Sequence, residues 1–433
     1  MTFAGIFAII SVMNRKFYFL LFYFLLFTFN FSSAAIRLGA DVETGGVSYA
    51  NPGYLVTAST MSTIKNAYNY QKSRIYLEGD LKKNVTVGVK ILSRGIFGKE
   101  FDREYTTAIS SITFLNYTPQ IENAFIEFSD INNLPVDFIA GRQPIRIGQG
   151  VIVDDDGLGF DAFRVKAYLP YDIDADAFVI KRTELSGTQF TRDKDSGLSA
   201  AGVNWTYEND YNFRTYYFVE SSSSPLTKNF ISVRVDGRFK EGVDYRAEII
   251  KSGGNYSGIS YLVGTTAYSK LKRLGKTSVN FEYAVGAGKS DGMGFAPTYE
   301  HKTDGLERSG YGEYFAASMN DFYGGITSPS TKVGDAQGIH TTTLGVGFEP
   351  YKGLNLNFDY FILFSIDSPA NLTGVESYLG EEIDMSLKYK YTENCLFRFV
   401  YGRFSPLKIL KPDVTGTAKV FANKIGWSVS AKF

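Results

Sequence analysis

Phe421-Ala-Asn-Lys-Ile-Gly-Trp-Ser-Val-Ser-Ala-Lys-Phe433 is the stretch that decides how the chain folds. Its odd positions carry Phe421, Ile425, Trp427, Val429, Ala431 and Phe433, with Asn423 the one polar residue among them. Its even positions carry Ala422, Lys424, Gly426, Ser428, Ser430 and Lys432. Successive side chains of a strand point to opposite faces, so the pattern predicts a strand with one apolar and one polar face. Two architectures use such a strand. In a transmembrane barrel the apolar face meets lipid and the polar face lines the lumen. In a soluble sandwich the apolar face meets a core and the polar face meets water.

The same alternation recurs upstream. Val85, Val87, Val89 and Ile91 alternate with Thr86, Gly88 and Lys90; Ile231, Val233, Val235 and Phe239 alternate with Ser232, Arg234, Asp236 and Arg238. Ile383, Met385, Leu387 and Tyr389 alternate with Glu382, Asp384, Ser386 and Lys388. Period-two patterning of this kind predicts about eighteen strands. They fall at 36–45, 72–80, 84–92, 121–129, 136–141, 160–169, 174–182, 197–208, 211–220, 229–240, 243–251, 256–270, 276–288, 338–349, 353–364, 377–391, 394–404 and 420–433. The connections alternate long and short: 46–71 then 81–83, 93–120 then 130–135, 142–159 then 170–173, with 289–337 the longest. Outer-membrane barrels have short periplasmic turns and longer extracellular loops, which gives that phase a cause. A sandwich supplies none. The predicted fold is therefore an all-β, transmembrane antiparallel barrel over 36–433.

Composition agrees. The 433 residues include 30 Tyr and 36 Phe but 2 Trp, an aromatic content with a use in interfacial girdles. Forty-five Lys and Arg against 45 Asp and Glu leave no basic field for nucleic acid. Cys395 is the single cysteine, so no intrachain disulfide forms. At the N-terminus the basic Met13-Asn-Arg-Lys16 precedes an apolar run at 17–31 and then Ser32-Ser-Ala-Ala35. That order predicts a signal peptide at 1–35, with Met13 a second candidate start; a single membrane anchor is the alternative. No later run of about 20 apolar residues occurs, so membrane contact beyond it falls to strands.

In a barrel the charged faces line the lumen, because charge on the lipid face is costly near the midplane. Alternation then makes Arg74, Arg234, Arg238, Arg246, Arg398, Glu382 and Asp384 pore-lining candidates, alongside Glu78, Asp80, Glu127, Asp236, Asp244 and Glu248. Mixed charge suits a water-filled path for a polar solute.

Two regions carry a family resemblance. Glu122-Asn-Ala-Phe-Ile-Glu127 runs into Gly141-Arg142-Gln143, Gly148-Gln-Gly150 and Phe160-Asp161-Ala-Phe-Arg164. Leu379-Gly-Glu-Glu-Ile-Asp384 is followed by Tyr401-Gly-Arg-Phe404-Ser-Pro406. Together they resemble the alginate export family of outer-membrane barrels. The resemblance implies eighteen strands and passage of an anionic polysaccharide through an arginine-lined constriction. It implies roles for Arg142, Asp161 and Arg164 at the matching motif positions. Arg164 alternates with Phe163 and Val165, which points it to the lumen. Arg142 has two readings: a lumen residue, or a structural ion pair that pins the following loop. A terminal strand ending in an aromatic also resembles such barrels, whose assembly machinery reads that residue.

Other constellations are weaker. Asp154-Asp-Asp156-Gly157 offers Asp154 and Asp156 as a cation site, but it lacks the remaining ligand spacing and closing Glu of an EF-hand. A solvated acidic loop tip is the plainer reading. His301 and His340 have no nucleophile or base at a catalytic spacing, and no cofactor motif is present, so an enzyme is not expected. Two functions remain. One is a passive outer-membrane channel for a polysaccharide or small polar solute. The other is a non-transport barrel that binds or adheres through its long loops. The expected partners are outer-membrane lipid and the barrel assembly machinery.

Overall fold

The computed structural model describes residues 35–50, 65–82, 84–98, 104–106, 113–155, 157–183, 196–208, 210–221, 227–239, 242–288, 338–366, 378–406 and 421–433. The segment read as a signal peptide lies outside these residues apart from Ala35, as do His301 and Asp156.

The strands are β1 (Ala35–Ala50), β2 (Lys65–Lys82), β3 (Val85–Ile96), β4 (Glu104–Thr106), β5 (Thr113–Leu115), β6 (Gln120–Phe128) and β7 (Val136–Gln143). They continue as β8 (Phe160–Leu169), β9 (Ile173–Thr183), β10 (Ser196–Tyr207), β11 (Tyr211–Ser221), β12 (Lys228–Phe239) and β13 (Val243–Gly254). The last are β14 (Gly258–Leu271), β15 (Gly275–Gly286), β16 (Ile339–Tyr351), β17 (Leu354–Ser365), β18 (Tyr378–Thr392), β19 (Cys395–Pro406) and β20 (Ala422–Lys432). Eighteen of them form one sheet, and β4 pairs with β5 as a separate two-stranded ribbon. Each barrel strand pairs antiparallel with the next, and β20 closes on β1 from Asp41↔Lys432 to Ala50↔Asn423. Phe433 extends that seam by exchanging backbone hydrogen bonds with Ala40 at 2.8 and 2.9 Å. Closure leaves the barrel sheet without an unpaired edge strand, which a spanning sheet requires in a solvent without hydrogen-bond partners.

All eighteen predicted strands correspond to barrel strands. The sequence pattern undershoots several of them, most of all β1, which runs on to Ala50, and β2, which begins at Lys65. The loop predicted over 93–120 contains the β4–β5 ribbon, whose three-residue strands are too short to show a period.

The outer face is apolar. Leu38, Phe163, Ile249, Val263, Ile383 and Trp427 are all exposed there. At the short-turn end, rings follow one another from Trp205 to Tyr207 (5.9 Å), Tyr211 (6.4 Å) and Tyr245 (6.4 Å). At the long-loop end a second row runs Tyr261, Tyr283, His340, Phe364, Tyr378, with centroids 6.0, 6.0, 4.6 and 4.9 Å apart. Amphipathic rings favour the headgroup level, so the two rows mark the membrane interfaces. His340 is thus a girdle residue. Cys395 is a free thiol on the parity of Phe397, which is exposed on this same face.

The inner face has two tiers. Toward the long loops, β9 to β14 each contribute at least one buried apolar side chain, among them Ile180, Leu198, Phe218, Phe230, Ile250 and Leu262. They share a cluster with Ile145, Ile152 and Val153 of the 144–159 connection. Each such burial is worth about 1.5–3 kcal/mol, enough to hold that connection inside the barrel. Below this tier the lumen wall is charged.

Candidate functional site

The connection after β7 was expected to stand outside the barrel as an extracellular loop. It folds inward instead. Ile147 N–H donates to the Val153 carbonyl at 3.1 Å, and Gly150 N–H donates to the Ile147 carbonyl at 3.0 Å, so the segment doubles back on a tight tip. Gly148 sits in this turn at φ +62, a left-handed conformation that costs a side chain strain. A Cβ there would lie 3.2 Å from a Glu248 carboxylate oxygen and 3.6 Å from Arg234 Cδ. The tip therefore meets the wall at β12 and β13, with β8 to β11 spanned beneath it. The apolar residues of an inward loop are the signal that was passed over. Ile145 and Val151-Ile-Val153 are anomalous in a solvated loop and natural in one packed on Phe178 and Ile180.

Asp154 changes accordingly. It is 5% exposed and pairs with Arg146, whose Nε lies 3.2 Å from its Oδ2. It is an internal brace, not a solvated tip, and among the described residues no cluster suited to a metal ion occurs. Asp155 accepts from Gly159 N–H at 3.1 Å, and burial, then the neighbouring Asp154, pushes its carboxyl above the usual range.

The wall under the loop carries paired charges. Arg164 grips Asp176 through Nε (2.9 Å) and NH2 (2.8 Å), and Tyr216 donates to the same carboxylate at 3.1 Å. Arg234 reaches Asp236 at 2.8 Å and Glu248 at 3.1 Å, with Ser232 donating to Glu248 at 2.8 Å. Arg246 crosses one strand to Glu282 at 2.5 Å. It can do so because Gly264 lies between: a Cβ there would stand 2.9 Å from the guanidinium and 3.0 Å from the carboxylate. On the far wall Arg74 bonds Glu122 at 3.1 Å, and Lys90 reaches the same carboxylate at 3.1 Å. Bidentate and charge-assisted contacts of this kind fix side chains as well as neutralise them.

Each predicted site residue can now be placed. Arg74, Arg164, Arg234 and Arg246 are on the inner face in these networks. Glu382 and Asp384 are inner-face residues at 0% and 3% exposure, and Arg398 of β19 registers with Lys388 on the same face. Arg238 pairs with Asp244 at 2.7 Å at the short-turn end, where it is largely exposed. Arg142 and Asp161 depart from the pore-lining expectation. They register with one another, on the parity of Phe138 and Phe163, which is the outer face. Arg142 NH1 binds Asp161 at 3.1 Å, and its Nε donates to the Leu158 carbonyl at 3.0 Å. Of its two readings, the ion pair that pins the loop is the one the geometry takes. The motif's likeness gave position but not side, and parity alone would have placed both residues outward.

Residues not singled out from sequence matter more. Between the loop's Arg146–Gly148 and the β8–β11 wall lies a pocket of about 280 Å³. Arg164, Lys166, Asp174, Asp176, Asn204 and Arg214 line it. Lys166, Asp174, Asn204 and Arg214 were visible as polar members of alternating strands. What parity could not show is that a loop caps them.

No protein-family model and no curated protein matches the sequence. Solved structures do resemble it. OccAB4 of Acinetobacter baumannii superposes with a TM-score of 0.56 at 10% identity, covering 93% of this chain and 99% of that one. OccK8 (OprE) of Pseudomonas aeruginosa gives 0.55 at 14% identity, covering 92% and 98%. The outer membrane protein opdK of Pseudomonas aeruginosa gives 0.53 at 11% identity, again covering 92% and 98%. At such identities the likeness is one of fold. The chain is a closed, 18-stranded antiparallel barrel with the fold of the outer-membrane porins.

Proposed function

We propose that the protein is a passive channel for small polar solutes, narrowed by the inward-folded 144–159 connection. The observation that carries this reading is the close approach of Gly148 to Glu248 and Arg234, where a Cβ would stand 3.2 and 3.6 Å from them, far around the wall from the loop's own strands. A loop that served only surface binding has no reason to be anchored inside on a charged wall. The paired lumen charges supply ordered hydrogen-bonding groups for a hydrated solute without a large net field.

The resemblance to alginate export proteins supports a narrower version, in which the solute is an anionic saccharide. Arg146, Arg164 and Arg214 around the pocket favour it. The carboxylates beside them weaken it, since Arg164 is neutralised by Asp176 and Arg146 by Asp154. Planar-bilayer recording of the refolded barrel tests the channel reading. Discrete ohmic steps in potassium chloride are expected. A folded, inserted barrel that carries no current contradicts it. Reversal potentials in a salt gradient then separate the versions: strong anion preference favours the saccharide polyanion, and weak preference favours small neutral or mixed-charge solutes.

A further inference from the structure

We infer that the β14–β15 turn is a docking site for anionic phospholipid headgroups in the leaflet at the short-turn end. Lys272 and Arg273 take the phosphate, and Leu271 and Leu274 enter the acyl boundary. The inference rests on the barrel spanning a membrane and is independent of the channel reading.

The hairpin stands proud of its neighbours. Val243, the first residue of β13, registers with Ala267, and β14 runs on four residues to Leu271. The corresponding run-on is two residues at β12, from Gly237 to Phe239, and two at β16, from Glu349 to Tyr351. Two more residues at about 3.4 Å each, tilted about 40°, carry the tip about 5 Å further out. That passes the aromatic row from Trp205 to Tyr245 and reaches the layer where headgroup phosphates lie.

The tip reads Lys270-Leu-Lys-Arg-Leu-Gly-Lys276, without an acidic residue. Leu271 and Leu274 are 45% and 42% exposed, and Leu271 shares the parity of Val263 on the outer face. Lys270 stands directly opposite Lys276, a like-charge pairing that costs the hairpin stability unless an anion is close. Lys276 reaches Glu349 at 3.4 Å. Among the described residues Lys270, Lys272 and Arg273 make no ion pair. The β16–β17 turn widens the patch. A Cβ at Gly275 would overlap the Glu349 carbonyl and lie 3.3 Å from Pro350 Cα, so the two turns pack together. Exposed Tyr351 and Lys352 are thereby brought beside the tip.

Exposed leucines among cations are costly in water and natural at a lipid surface, where apolar groups lie in the acyl boundary and charged heads meet phosphate. Anionic lipid is favoured over phosphatidylcholine, because each cation near an anionic surface adds attraction and phosphocholine carries a cation of its own. The far arc of the same rim has the opposite character. Its β6–β7, β8–β9 and β10–β11 turns present exposed Asp130, Asp172, Glu208 and Asp210, which repel such a headgroup. An acidic cell-wall glycopeptide would meet the cations but leave Leu271 and Leu274 in water.

Native mass spectrometry of the whole detergent-solubilised barrel tests this, titrated separately with phosphatidylglycerol, phosphatidylcholine and a muropeptide. Phosphatidylglycerol is expected to bind most tightly. The double variant Lys272→Gln, Arg273→Gln should weaken it about thirtyfold, at about fivefold per charge, and leave phosphatidylcholine unchanged. Leu271→Ser with Leu274→Ser should weaken both lipids alike. Arg37→Gln with Lys432→Gln removes two exposed cations at the same end, on β1 and β20, and should leave phosphatidylglycerol binding as it was. Equal binding of the two lipids overturns the site. So does a preference that survives loss of Lys272 and Arg273, or one that disappears with Arg37 and Lys432. Muropeptide binding that depends on Lys272 and Arg273, without a preference for phosphatidylglycerol, overturns it in favour of a cell-wall partner.

Discussion

Replacing Arg164 with Met probes how firmly the lumen wall depends on its ion pairs. The guanidinium makes two bonds to Asp176, at 2.9 and 2.8 Å, with the two side chains 14% and 8% exposed. Met keeps the length and apolar packing of the stem against Phe178, over whose ring the Arg164 guanidinium lies at 5.9 Å. It leaves Asp176 buried with only the Tyr216 hydroxyl at 3.1 Å. Breaking a buried pair from one side costs about 3–5 kcal/mol, and the pocket that opens beside the pair argues for the lower end, ~3 kcal/mol. Urea unfolding in lipid vesicles measures it. With a slope at the upper end for small proteins, about 3 kcal/mol/M, the midpoint should fall by about 1 M. The double variant Arg164→Met, Asp176→Leu removes both charges and should recover most of the loss, because the penalty lies in the orphaned carboxylate. A single variant that costs under about 0.5 kcal/mol, or a double variant as unstable as the single, would falsify the claim that this pair is a buried, mutually dependent unit.

Other expectations follow from the same geometry. Gly264→Val should separate Arg246 from Glu282, destabilising the barrel and altering ion selectivity, whereas Gly79→Ala, with no atom within 4 Å of its Cβ, should be neutral in the same unfolding assay. Val263→Arg places charge on the exposed outer face and should cost about 2–4 kcal/mol if that face meets mid-bilayer lipid; a neutral result would reverse the inside–outside assignment. Asp155 is held protonated to higher pH than an ordinary carboxyl, by burial first and Asp154 second. Its protonated form therefore stabilises the loop, fully at low pH, and that support is lost as pH rises through the raised value. Current noise from loop motion should fall on acidification, and Asp155→Asn should flatten the dependence.

Much of this was legible in the sequence because strand parity is a local property. Val85 to Ile91 and Ile383 to Tyr389 declare their two faces residue by residue, and closed pairing follows once the strands are counted. Arg234, Arg246, Glu382 and Asp384 fell on the inner face for the same reason. The loop was not legible, because its place depends on distant partners. Nothing within residues 144–159 states that Gly148 will rest on Glu248, about 100 residues later, and only the misplaced apolar run Val151-Ile-Val153 hinted at burial. Arg142 and Asp161 illustrate the opposite error. A motif likeness drew them toward the lumen against a parity with Phe138 and Phe163 that places them outside.

Single-channel conductance of a barrel in which residues 145–153 are replaced by a short Gly-Ser link tests the central claim most directly. Eighteen strands spaced about 4.8 Å apart and tilted about 40° give a backbone radius of about 18 Å. Side chains about 5 Å deep leave about 13 Å, an area of about 530 Å². A doubled-back chain about 10 Å wide, on a chord of about 20 Å from β7 to β13, covers about 200 Å² of it. Removing the loop should raise conductance at least about 1.6-fold, since any other lumen content shrinks the starting area and enlarges the ratio. Unchanged conductance in a variant that still folds and inserts would mean that the 144–159 connection does not set the constriction.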